Sequence, residues 1–94
     1  MSDGRIAKIC TVHGRVQGVG FRYSAMQRAR RFGVSGWVRN MPDGTVETFA
    51  QGPKDAVESY VSWLEHGPGT ANVERVDEQE TRPREEYTSF HIAH

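Results

Sequence analysis

The sequence predicts a single α+β domain, residues 1–94, in which an antiparallel sheet carries two helices on one face. Three observations predict it. Two segments repeat apolar residues at helical spacing: Ala25, Met26, Ala29 and Phe32, then Val57, Tyr60, Val61 and Leu64. Around them lie short segments whose apolar groups recur at every second residue, the period of a strand. Glycine and proline punctuate the junctions, and a chain of 94 residues buries about 60–65% of its unfolded surface, enough for one modest core.

Ile6 to His13 opens as a central strand, with Cys10 and Val12 expected on the core side and Ala7, Ile9, Thr11 and His13 on the other. Cys10 then reads as a small buried hydrophobe, since nothing near it in sequence would stabilise a thiolate. A glycine loop follows, and Phe21 to Phe32 forms the first helix, stopped by Gly33. Val34 to Asn40 is the second strand, with Val34, Gly36 and Val38 on one face and Ser35, Trp37 and Arg39 on the other. Met41-Pro42-Asp43-Gly44 turns the chain, and Thr45 to Gln51 returns antiparallel as the third strand. Pro53 suits the first position of the second helix, Asp55 complements its dipole, and Gly67-Pro68 end it. Val73 to Glu80 is a polar, exposed strand, Thr81 to Glu86 a charged loop, and Tyr87 to Ile92 a closing strand. The order β-α-β-β-α-β is the split β-α-β layout of a ferredoxin-like sandwich, a fold that hosts many functions.

Composition narrows the partners. Twelve basic and twelve acidic side chains cancel, which argues against nucleic acid or an anionic membrane surface. Ten of the cations are arginine, scattered except for Arg28, Arg30 and Arg31, expected on the solvated face of the first helix. One cysteine forbids an internal disulfide, and Met1-Ser2-Asp3-Gly4-Arg5 lacks the apolar run of a secretory signal. A soluble, cytoplasmic, monomeric protein is the expectation.

The stretch most in need of explanation is Gly14-Arg15-Val16-Gln17-Gly18-Val19-Gly20-Phe21-Arg22, with three glycines in seven positions and an arginine just inside a helix. Successive N–H groups in such a loop form an anion nest, continued by the unpaired N–H groups of the helix that follows. Arg22 opposes the helix dipole, an unfavourable placement of about 0.3–1 kcal/mol that a bound anion would remove. A glycine-rich turn with a chance surface arginine explains the same residues.

Familiar sites are excluded by spacing. The loop lacks the Walker lysine and the third glycine of a dinucleotide fingerprint. His13, His66, His91 and His94 contain no i, i+4 pair and cannot build a zinc site with one cysteine, so neither metal nor cofactor is expected. A phosphoryl site without metal, nucleophile or general base suits an activated substrate. A mixed carboxylic–phosphoric anhydride has a good leaving group, and holding its phosphoryl oxygens while placing one water in line suffices. Asn40, on the parity of Val38, is the candidate amide for that water; taken alone it reads more readily as a turn residue. Trp37 and Phe49 on an open sheet face would suit RNA bases, but no aromatic–basic segment accompanies them.

Gly14 to Arg22 followed by Gly36-Trp37-Val38-Arg39-Asn40 resembles the two signatures of the acylphosphatases. The similarity continues through Asp43-Gly44-Thr45-Val46-Glu47, Gly52-Pro53, Trp63-Leu64, Gly67-Pro68 and Phe90-His91-Ile92. The resemblance implies a ferredoxin-like, cytoplasmic, metal-independent hydrolase of the carboxyl-phosphate bond of acyl phosphates. It implies that Arg22 binds the substrate phosphate, that main-chain amides of Arg15, Val16, Gln17, Gly18, Val19 and Gly20 cradle it, and that Asn40 positions the attacking water. Inorganic phosphate is then product and competitive inhibitor.

Overall fold

The computed structural model describes residues 4–93. Met1-Ser2-Asp3, within the segment read as lacking a secretory signal, and His94, read as a polar tail residue, lie outside the described residues. The elements are β1 (Arg5–Arg15), α1 (Phe21–Phe32), β2 (Ser35–Asn40), β3 (Val46–Pro53), α2 (Lys54–Leu64), β4 (Asn72–Thr81) and β5 (Phe90–Ile92). They form one five-stranded sheet in the order β4-β1-β3-β2-β5. Four strands are antiparallel to their neighbours, and β5 joins the edge parallel to β2, which makes the sheet mixed.

The face of β1 carrying Cys10 and Val12 is the core face, as its parity predicts. Both are buried, and their partners across β3, Thr48 and Val46, are buried with them. Val38 and Ala50 continue this face, and the stripe Val57, Tyr60, Val61 and Leu64 of α2 packs onto it. From α1, Phe21, Ala25 and Ala29 are fully buried, with Met26 and Phe32 at the margin. Burial pushes the Cys10 thiol up to about 12, so it stays a neutral, inert hydrophobe.

Several boundaries differ from the sequence expectation, those of α2 and β5 most. Pro53 ends β3 and caps α2 with extended backbone, φ −56° and ψ 143°, so the helix begins at Lys54. The helix ends at Leu64 with Glu65 as its C-cap, leaving His66 just beyond the last turn. The closing strand is only Phe90–Ile92, because Tyr87 turns its ring onto Phe49 across the open face of the sheet, centroids 5.2 Å apart. The buried Gln51 carboxamide holds that segment down: Nε2 donates to Arg84 O (2.8 Å) and Tyr87 O (3.0 Å), while Oε1 accepts from Arg84 N–H (2.6 Å). Among the arginine cluster, Arg30 is not purely solvated: its Nε and Nη2 donate to Phe90 O and cap the β5 edge. Among the described residues no helix is long and apolar enough to cross a membrane.

Candidate active site

Gly14 ends the regular part of β1 for a steric reason. Its φ is +126°, the β1–β4 register slips between His13 and Gly14, and a Cβ there would collide with Asn72 O and Glu74 N. After this slip β1 stays paired with β4 through Arg15, opposite Asn72, and the chain then enters the loop leading to α1. Val16 is buried and anchors the loop in the core. Gly20 is the N-cap of α1 in the left-handed conformation, φ 77°, and no side chain caps the helix. Phe21 is buried against Trp63, ring centroids 5.6 Å apart, which fixes where the first turn of α1 emerges.

Two side chains clamp the loop from outside. The Gln17 carboxamide reaches the β2–β3 turn, its Nε2 donating to Met41 O and Thr45 O, both at 2.8 Å. Thr70 Oγ1 donates to Val19 O at 2.7 Å. The β2–β3 turn is itself braced, since Asp43 Oδ1 accepts from Thr45 N–H (3.0 Å) and Thr45 Oγ1 (2.6 Å). These bonds hold the Asp43 carboxyl below its ordinary value, that from the Thr45 hydroxyl contributing most.

Among the described residues, the main-chain N–H groups of Val16 to Tyr23 donate to no protein acceptor; the first helical bond is Ser24 N–H to Gly20 O. Beside this stretch lies a cleft of about 280 Å³ lined by Val16, Gly18, Gly20, Phe21, Arg22, Tyr23, Asn40 and Ile92. Arg22 is half-buried and has no hydrogen-bond or ion-pair partner among the described residues. Asn40 is the last residue of β2, on the helix-facing side opposite Val46. Its Oδ1 is buried and accepts no hydrogen bond among the described residues, an uncommon state for a polar atom. Arg22, part of the glycine loop at the start of α1 and Asn40 thus line one cleft, a set of residues suited to a tetrahedral anion and a water.

Of the residues singled out from the sequence, Val16, Gly18, Gly20, Arg22 and Asn40 meet at this cleft, whereas Arg15, Gln17 and Val19 do not line it. Arg15 is exposed at the end of β1. The clamp made by the Gln17 side chain was not readable from local pattern, because its acceptors lie 24 and 28 residues away. Tyr23 and Ile92, also unforeseen, complete the wall; the exposed position of Tyr23 opposite the Ala25–Ala29 stripe was the available signal.

Known proteins resemble this chain in sequence and in backbone. The acylphosphatase family model matches residues 8–92. An acylphosphatase of Thiobacillus denitrificans is 53% identical over 79 residues, covering 84% of this chain and 86% of that protein. The crystal structure of acylphosphatase from Bacillus subtilis superposes with a TM-score of 0.90 at 37% identity, covering 95% of this chain and 99% of the other. An acylphosphatase structure from Coxiella burnetii gives 0.91 at 34% identity over 99% and 100% of the two chains. Matched along nearly its whole length in sequence and in backbone, the chain belongs to the acylphosphatase family.

Proposed function

We propose that this protein hydrolyses the carboxyl-phosphate bond of acyl phosphates, releasing a carboxylate and inorganic phosphate, without metal or cofactor. The observation that carries the reading is the unpartnered Oδ1 of Asn40, buried on the wall that Arg22 shares. In this reading Arg22 and the amides of Arg15 to Gly20 hold the phosphoryl oxygens. Those of Val16 to Gly20 have no competing protein acceptor. The positive end of α1 adds to their field, and the bound anion removes the conflict between Arg22 and the helix dipole.

Asn40 Oδ1 accepts a hydrogen from one water and aims its lone pair at phosphorus. The water oxygen bonds to phosphorus while the bond to the acyl oxygen breaks, its electron pair leaving on the carboxylate. The water's proton passes to a phosphoryl oxygen of the substrate, so no protein base is required. Because the leaving group is already good, positioning and preorganised charge supply the catalysis. The protein acts as a soluble, cytoplasmic monomer on a small-molecule substrate, with inorganic phosphate as product and competitive inhibitor.

The test is hydrolysis of benzoyl phosphate in the presence of EDTA, against p-nitrophenyl phosphate as a monoester control, by the intact and Arg22→Ala proteins. The expected result is turnover of the anhydride alone, lost with Arg22, and inhibition by inorganic phosphate. Activity removed by the chelator, or retained by Arg22→Ala, contradicts the reading.

A further inference from the structure

The cleft holds more than a phosphoryl site. Tyr23 is 57% exposed, the one large hydrophobic side chain among the described residues left in solvent, and it stands on the wall of the cleft beside Arg22. Folding gives it no role. It projects opposite the Phe21, Ala25 and Ala29 stripe that buries α1, and a tyrosine there is a weaker helix former than the charged residues found elsewhere on that face. Its hydroxyl accepts a 3.3 Å bond from Gln27 Nε2, one turn along the helix, which orients the ring.

The rest of the wall is informative in its charge. Among the described residues, Arg22 is the one residue of the lining that carries charge at neutral pH, and the phosphoryl group uses it. No carboxylate and no second cation among the described residues line the cleft. The partly buried Ile92 supplies apolar surface on the same wall as Tyr23, above the buried Val16 and Phe21. A carboxylate or ammonium on the acyl half of a substrate would enter this space without a partner, which is unfavourable. An aryl group would meet the ring of Tyr23 in an offset or edge contact. At about 280 Å³ the space lies at the small end of small-molecule sites, so the acyl half is limited to about one ring beyond the phosphoryl group.

Resting on the reading of this site as an acyl-phosphate hydrolase, we infer that the enzyme selects substrates whose acyl half is apolar and uncharged, with Tyr23 as the specificity-determining residue. The acyl group lies against the Tyr23 ring and the side chain of Ile92, while the phosphoryl group occupies the amide cradle.

The experiment compares kcat/KM for benzoyl and acetyl phosphate in the wild type, Tyr23→Ala and Tyr23→Phe, so that the intrinsic reactivity of each anhydride cancels between proteins. The benzoyl-to-acetyl ratio falls roughly three- to tenfold in Tyr23→Ala, through KM, and is kept by Tyr23→Phe, the range of an aromatic contact. Propionyl phosphate is hydrolysed more efficiently than succinyl phosphate, which differs by one terminal carboxylate. A ratio unchanged in Tyr23→Ala, or succinyl phosphate as good a substrate as propionyl, overturns the specificity claim while leaving the hydrolase intact. Failure of the wild type to hydrolyse any of the four overturns the underlying functional reading instead.

Discussion

The side-chain amide of Gln17 donates to the main-chain oxygen of Thr45 at 2.8 Å, joining the loop before α1 to the turn after β2 across 28 residues. Since Asn40 ends β2 and Arg22 lies in the first turn of α1, this bond and its companion to Met41 O set the spacing between the two residues assigned to catalysis. Gln17→Ala removes both bonds and should cost about 1–3 kcal/mol of stability. It should also lower kcat more than Thr70→Ala, which frees only Val19 O. Thermal unfolding and benzoyl phosphate kinetics on both variants check this. Gln17→Glu should be worse than Gln17→Ala at neutral pH, because an ionised carboxylate has no donor for two carbonyl oxygens.

The two helices and the face assignment of β1 and β2 were legible in the sequence, since stripes such as Val57-Tyr60-Val61-Leu64 and the parity of Val38 with Asn40 are local signals. That Gly18, Gly20, Arg22 and Asn40 line one cleft accords with the family resemblance, whereas the residues alone left a chance arginine and a turn asparagine open. Contacts between distant residues were not legible. Nothing near Gln51 announces that its amide will clasp Arg84 and Tyr87 and so shorten β5. Gly14 read as part of an anion nest, yet its task is to let β4 approach, and the parallel edge pairing of β5 had no local signature.

That task of Gly14 separates two glycine substitutions. Both Gly14→Ala and Gly18→Ala place a Cβ at positive φ, +126° and +75°, at about 1–2 kcal/mol each. Only at Gly14 does the added carbon also meet the β4 backbone, adding about 1–3 kcal/mol for overpacking. Gly14→Ala should therefore unfold at the lower temperature, and Gly18→Ala, at the cleft wall, should show the larger activity loss relative to its stability loss.

The buried hydroxyl pair Thr48–Tyr60 gives a second ranking. Thr48 Oγ1 donates its hydrogen to Trp37 O (2.8 Å), so the Tyr60 hydroxyl must be the donor in their 2.8 Å bond. Tyr60→Phe leaves Thr48 with its own bond made, at about 0.5–1.5 kcal/mol. Thr48→Val strands the Tyr60 hydroxyl, which is 0% exposed, and should cost more, about 1–3 kcal/mol. Equilibrium urea unfolding of the two variants decides the order.

Cys10 sets an alkaline limit on stability. Burial, assisted by the nearby Glu78 carboxylate, raises its thiol from 9.0 to about 12. A raised native value means the neutral thiol is favoured in the fold, so its contribution is complete below pH 9.0 and is lost as pH climbs towards about 12. Stability should fall between pH 9 and 11 more steeply in the wild type than in Cys10→Ala. Equal slopes contradict the assignment. In the native protein at pH 8 the thiol should resist iodoacetamide and react once urea unfolds the chain.

The most direct test of the site is the turnover of Asn40→Ala with benzoyl phosphate, read beside its inhibition constant for inorganic phosphate. If Asn40 aims the water and Arg22 with the loop amides holds the phosphoryl group, kcat falls by about 10²–10³, while phosphate binds as it does to the wild type. An Asn40→Ala protein with wild-type kcat, or one that loses phosphate binding along with turnover, contradicts that division of labour.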